Sequence, residues 1–154
     1  MITIRTGDPD EGAQLREIAL QAKRHWGHDQ AALARWIAMG DFSPALFHEK
    51  RVLVAEAAGD AVAWSSVITA ARAGDVAWLD DLWVRPAWMR QGIGTRLFHD
   101  SAALARRDGA TRMEWEAEPM ALGFYERMGG RIVRHTPPDP VWHRTLPVMA
   151  VDLD

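Results

Sequence analysis

The stretch VRPAWMRQGIGTRLF, residues 84–98, constrains this chain more than any other part of it. A β-type run, VAWLDDLWV, reaches Arg85-Pro86, where proline removes a donor and biases the preceding residue away from helix. A loop with Gly92 and Gly94 follows, and a helix begins at once. Its apolar residues Ile93, Leu97, Leu104 and Ala105 recur at helical spacing, and Gly109 after Arg106 and Arg107 stops it. Glycine lets backbone approach a ligand closely, and the N–H groups of a helix's first turn are unpaired and carry about half a unit of positive charge. The amides of Arg90 to Thr95 are therefore expected to cradle a pyrophosphate, with Arg90 and Arg96 adding charge and Thr95 a hydroxyl. Gly-x-Gly alone also describes a plain tight turn. A dinucleotide fingerprint is excluded because Leu97 stands where its third glycine belongs, and no Gly-Lys-Ser/Thr exists for a P-loop.

Around this turn the punctuation divides the chain into an alternating series. Residues 2–5 read as a strand. Asp8, Pro9 and Glu11 open a helix over QLREIALQAKRHW that stops at Gly27, and Asp29 caps a second, QAALARWIAM, ending at Gly40. Residues 51–57 and 61–70 form a hairpin about Gly59-Asp60, and a turn at Gly74-Asp75 leads into 76–84. Residues 111–117 read as a strand, 119–128 as a short helix closed by Gly129-Gly130, 131–135 as a strand and 144–152 as the last. Strands separated by helices imply some parallel pairing, so the fold class is α/β with a mixed sheet.

With 154 residues and no linker or repeat, one domain spanning 1–154 is expected. The N-terminus MITIRTGDPDEG leaves no room for a signal peptide's apolar region and no apolar run is long enough to span a bilayer, which points to a cytoplasmic protein. A net charge of -3 offers no field for nucleic acid, and the absence of cysteine excludes disulfides, thiolate metal sites and an acyl-cysteine intermediate. His25 and His28 are spaced like metal ligands but lack a third, so no metal is expected. Eight Trp against one Tyr is unusual, and tryptophans line a cleft, fill the core or form a homodimer seam.

Two segments, LDDLWVRPAWMRQGIGTRLF and EPMALGFYERMGG, together resemble the GNAT superfamily of acyl-CoA-dependent N-acetyltransferases. The first is similar to the family's strand four, pyrophosphate loop and following helix; the second to the helix after strand five, ending Phe-Tyr-x-x-x-Gly. The resemblance implies a mixed, mostly antiparallel sheet of six to seven strands flanked by about four helices, with a V-shaped splay between strands four and five. It implies acetyl-CoA as cosubstrate, pantetheine lying along Leu82, Trp83 and Val84, the pyrophosphate on Met89, Arg90, Gln91, Gly92, Ile93, Gly94 and Thr95, and the thioester near Tyr125. Two positions depart from the pattern: Met89 stands for the usual arginine and Met120 for a frequent asparagine. Cradling by backbone amides survives the first; the second removes one side-chain contact.

The implied reaction is direct attack of a primary amine, on a small molecule or a peptide, in a ternary complex. An alkylammonium with pKa about 10.4 must lose a proton before it attacks. Strand alternation puts Asp80 and Asp81 on opposite faces, and Asp80, which matches the base proposed for some relatives, is the expected base; Glu116 and Glu118 are its rivals. Tyr125, the only tyrosine, resembles the family's general acid for the thiolate. Backbone N–H groups near Leu82 to Val84 are candidates to stabilise the oxyanion. His25, Trp26, His28, Trp36, Asp81 and Glu116 are expected in the acceptor's wall, the aromatic rings suiting a cationic amine. The alternative is a non-catalytic acyl-CoA sensor that keeps the cradle without an acceptor site.

Overall fold

The computed structural model describes residues 1–40, 42–69, 75–140 and 143–154. Seven strands run β1 Ile2–Thr6, β2 Arg51–Ala57, β3 Asp60–Ile68, β4 Val76–Val84, β5 Arg112–Glu116, β6 Arg131–His135 and β7 Pro147–Asp152. The helices are α1 Gly12–His25, α2 Gln30–Met39, α3 Leu46–Glu49, α4 Ile93–Arg107 and α5 Leu122–Arg127. The sheet order is β1-β2-β3-β4-β5-β7-β6, antiparallel except where β4 meets β5. The expected mixed sheet is thus present. The expected 61–70 strand ends at Ile68, and the end of that reading, like Gly74 of the following turn, lies outside the described residues.

Strand β2 is buried on both faces, and this sets the layers. Val52 and Val54 meet Leu15, Ile18, Ala19 and Trp64 on one side, where α1 packs. Leu53 and Ala55 meet Ile93 and Leu97 of α4 on the other. Helix α1 begins after a capping box in which the Asp10 N–H donates to Asp8 Oδ1 at 2.9 Å and the Asp8 N–H to Glu11 Oε2 at 2.7 Å. Asp29 caps α2 by accepting from the Ala32 N–H at 2.7 Å.

Two irregularities of β4 shape the centre of the molecule. Its parallel ladder with β5 covers only Val76–Trp78 against Arg112–Glu114. From Leu79 onward the strands part, leaving the β4 edge toward β5 with no ladder partner among the described residues, while β3 still pairs the other edge as far as Val84. The β3 ladder also jumps from Ser66 opposite Asp81 to Val67 opposite Leu79, so Asp80 is the extra residue of a β-bulge.

Candidate active site

The turn leading into α4 sits at the mouth of this splay. Arg90 and Gly92 have φ of 63° and 81°, a left-handed conformation that costs a side-chain-bearing residue about 1–2 kcal/mol and that persists where the surroundings require it. Ile93, 2% exposed, anchors the turn in the core beside Leu97, while Arg90, Gln91 and Gly92 stay in solvent. The first amide of α4 to bond back is that of Arg96, to Gly92 O at 3.1 Å. Among the described residues no protein acceptor meets the N–H groups of Arg90 to Thr95, so this concave run presents donors with the positive end of a 15-residue helix behind them. Met89 lies half-buried at its start. Arg96 does not face the same way: its guanidinium donates to Ile2 O at 2.9 Å, tying α4 to β1.

Tyr125, on α5, is buried at the deep end of the splay, its ring 5.1 Å from Trp115 and 6.3 Å from Phe98. Burial first, and then the charge of Asp81, push its phenol well above the usual value near 10, so it holds its proton throughout the neutral range.

On the α1 side of the splay lies a cleft of about 620 Å³. Among the described residues five carboxylates line it, from Asp80, Asp81, Glu116, Glu118 and Asp139. Asp80 and Asp81 do not point to opposite faces as strand alternation predicts, because the bulge resets the alternation: both reach the ammonium of Lys50, Asp80 in a short contact and Asp81 at 3.7 Å. Asp80 also accepts from Trp78 Nε1 at 3.2 Å. Asp81 accepts from Ser66 Oγ at 2.5 Å and Trp83 Nε1 at 3.0 Å. Burial, and then the adjacent Asp80, hold the Asp81 carboxyl above the ordinary carboxylate range against these three donors. Glu118 is held by Arg144 Nη2 at 2.6 Å, with His28 Nε2 3.8 Å from its other oxygen.

The aromatic wall exists but its cation is already there. Trp83 gathers Trp26 and Trp36 at centroid distances of 6.0 and 5.9 Å, and the Lys23 ammonium lies 4.8 and 4.9 Å from the Trp36 and Trp83 rings. Of the residues expected to face an acceptor, Trp36, Asp81 and Glu116 line the cleft, Trp26 backs Trp83, and His28 stands at Glu118. His25, the last residue of α1, is exposed and outside the lining.

The acetyltransferase (GNAT) family model matches residues 13–130, which take in the turn, the splay and Tyr125. The chain belongs to the GNAT acetyltransferases. It is accordingly an acyltransferase. Solved structures share the fold at low identity. The PaiA N-acetyltransferase of Thermoplasma acidophilum, in complex with coenzyme A, superposes with a TM-score of 0.80 at 17% identity over 99% of both chains. The ribosomal-protein-S18-alanine N-acetyltransferase of Escherichia coli gives 0.74 at 16% over 99% of this chain and 94% of its own. YncA of Salmonella typhimurium, a putative acetyltransferase with its cofactor acetyl-CoA, gives 0.72 at 23% over 100% and 95%. Comparison with curated proteins finds no match.

Within this GNAT chain, Lys23, Lys50 and Arg144 are cleft residues that sequence reasoning missed. Lys23 did leave a signal. With Leu15 and Ala19 it falls at i, i+4 and i+8 of α1, a lysine on an otherwise buried stripe. Lys50 and Arg144 left none, since they reach their carboxylates from 30 and 26 residues away. Among the described residues no three His, Asp or Glu side chains are grouped to hold a metal, and no helix is long and apolar enough to cross a membrane.

Proposed function

We propose that this enzyme moves an acetyl group from acetyl-CoA to a primary amine by direct attack within a ternary complex. The observation that carries the reading is the run of unpaired amides from Arg90 to Thr95 at the positive end of α4, beside a strand edge that β5 has left open. A diphosphate supplies the acceptors those donors lack. The open edge at Leu82–Val84 offers backbone groups to pantetheine and to the oxyanion. Acetyl-CoA, when bound, supplies the thioester. Tyr125 holds a proton at the phenolic oxygen for the departing sulfur; its elevated pKa makes it a hydrogen-bond donor first and a proton donor only as thiolate charge develops. The amine reaches the thioester through the cleft of Asp81, Trp36 and Glu116, on a small molecule or a peptide, with cytoplasm as the setting and one domain as the unit. Asp80, the expected base, is engaged by Lys50 and Trp78, so this role passes to another carboxylate.

Calorimetry with coenzyme A, followed by free-thiol release from acetyl-CoA across a panel of primary amines, tests the proposal. Micromolar affinity and amine-dependent thiol release are expected. Affinity without release with any amine makes the chain a sensor, and no affinity for coenzyme A removes the reading.

A further inference from the structure

Charge pairing separates the cleft's carboxylates into two kinds. Asp80 and Asp81 share Lys50, Glu118 has Arg144, and Asp139 is partnered as well. Among the described residues Glu116 alone of the five takes part in no ion pair or hydrogen bond. It is the last residue of β5, past the point where β4 and β5 separate, so its carboxylate stands across the splay from Asp80. Glu116 is exposed at the cleft wall, and a carboxylate beside other acids gains from a cation that none of its described neighbours provides. The aromatic wall cannot be where the acceptor's charge rests, because Lys23 occupies it.

We propose that Glu116 holds the acceptor's ammonium and receives its proton, an inference that rests on the acetyl-transfer reading above. Glu116 takes one proton from the ammonium and passes it to water. The freed lone pair forms the C–N bond as the C–S bond breaks, and the sulfur takes the proton of Tyr125. The second proton lost from nitrogen returns through solvent to the Tyr125 oxygen, so that one proton is released per acetyl group transferred. The charged groups around Glu116 agree with this role. Its pKa is displaced upward, first by the partial loss of water on the cleft side and then by Asp80 on β4 and Asp139 in the loop after β6, and Lys50, Lys23 and Arg144 are directed at other acids or at rings. A carboxylate moved upward matches an ammonium proton better than an ordinary one does.

The test pairs binding with turnover in wild type, Glu116→Gln and Glu116→Asp. For binding, butylammonium is titrated by NMR into protein saturated with coenzyme A; the Gln variant is expected to bind about fivefold more weakly, the scale of one ion pair of roughly 1 kcal/mol. For turnover, butylamine and its less basic 2,2-difluoro analogue are acetylated with acetyl-CoA. Glu116→Gln should lower kcat for butylamine about a hundredfold, lower it much less for the difluoro amine, whose far less basic nitrogen needs less help to lose its proton, and erase the acidic limb of the kcat/KM profile. Glu116→Asp should keep that limb at reduced rate. Unaltered butylammonium affinity, or equal losses for both amines, overturns the proposal. Failure of the wild type to bind coenzyme A, by contrast, sinks acetyl transfer itself, and butylammonium affinity in the unloaded protein still reads whether Glu116 holds the cation.

Discussion

Gly92 and Gly94 do different work in the same turn, and substitutions separate them. Gly92 has φ 81°, so any side chain there is strained by about 1–2 kcal/mol, yet a Cβ would meet nothing within 4 Å. Gly92→Glu should therefore leave a folded protein with a slightly lower Tm and no measurable coenzyme A affinity, because a carboxylate then projects into the space of a diphosphate. Gly94 is an ordinary helical residue whose added Cβ would touch Phe124 at 3.5 Å, a normal contact. Gly94→Ala should keep or gain up to about 1 kcal/mol, since alanine is the better helix former. A drop in coenzyme A affinity in this stable variant would then report the ligand's own closeness, and unchanged affinity in both variants would remove the cradle. Tyr125 is tested the same way. Tyr125→Phe keeps the ring among Trp115, Phe98 and Phe124, so stability and coenzyme A affinity should hold while kcat falls about 10- to 100-fold. An undiminished kcat takes the phenol out of the reaction.

Among elements, the splay depends on how firmly α5 is set against β5, and Gly130 shows how little room there is. A Cβ at Gly130 would lie 2.8 Å from the Trp115 ring and 2.9 Å from Tyr125 O, a backbone atom that cannot step aside. Gly130→Ala should cost on the order of 1–3 kcal/mol, seen as a Tm lower by roughly 2–10 °C, and should reduce kcat by displacing Tyr125; a melt and rate indistinguishable from wild type would mean that α5 slides freely. What could be read from sequence follows the same line between local and distant causes. The strand-turn-helix around Gly92, the caps at Asp8 and Asp29, and the order of elements apart from the one-turn α3 rest on neighbours in the chain, and the structure has them in place. The facing of Asp80 and Asp81 rests on a bulge created by pairing with β3, which alternation within β4 alone cannot reveal. Lys50's position between them is likewise a product of tertiary packing, as is the placement of Lys23 within the tryptophans.

At the scale of the whole molecule, burying the Lys23 ammonium links the acceptor wall to global stability. Lys23 is 5% exposed, and desolvation lowers its pKa to about 8 despite the nearby Glu118, Asp81 and Asp139. In the unfolded chain it titrates near 10.4. Below about pH 8 both states carry the proton and the folded state bears the whole cost of the buried charge. Between about 8 and 10.4 the unfolded chain keeps a proton that the folded protein has lost, so unfolding becomes less favourable as pH rises. The gain is about 3 kcal/mol across the window. Tyr125 and Lys50 keep their protons through this window in the folded state, and the contribution of their unfolded-state titration near its upper end is common to both proteins in a comparison with Lys23→Met. The stability of wild type relative to Lys23→Met should therefore climb by about 3 kcal/mol from pH 7.5 to 10.5, or on the order of 5–10 °C in relative Tm. Parallel melting curves for the two proteins over this range would mean that the Trp36 and Trp83 rings and the surrounding carboxylates fully replace the water that Lys23 gives up, and that its charge is retained in the folded state as easily as in solvent.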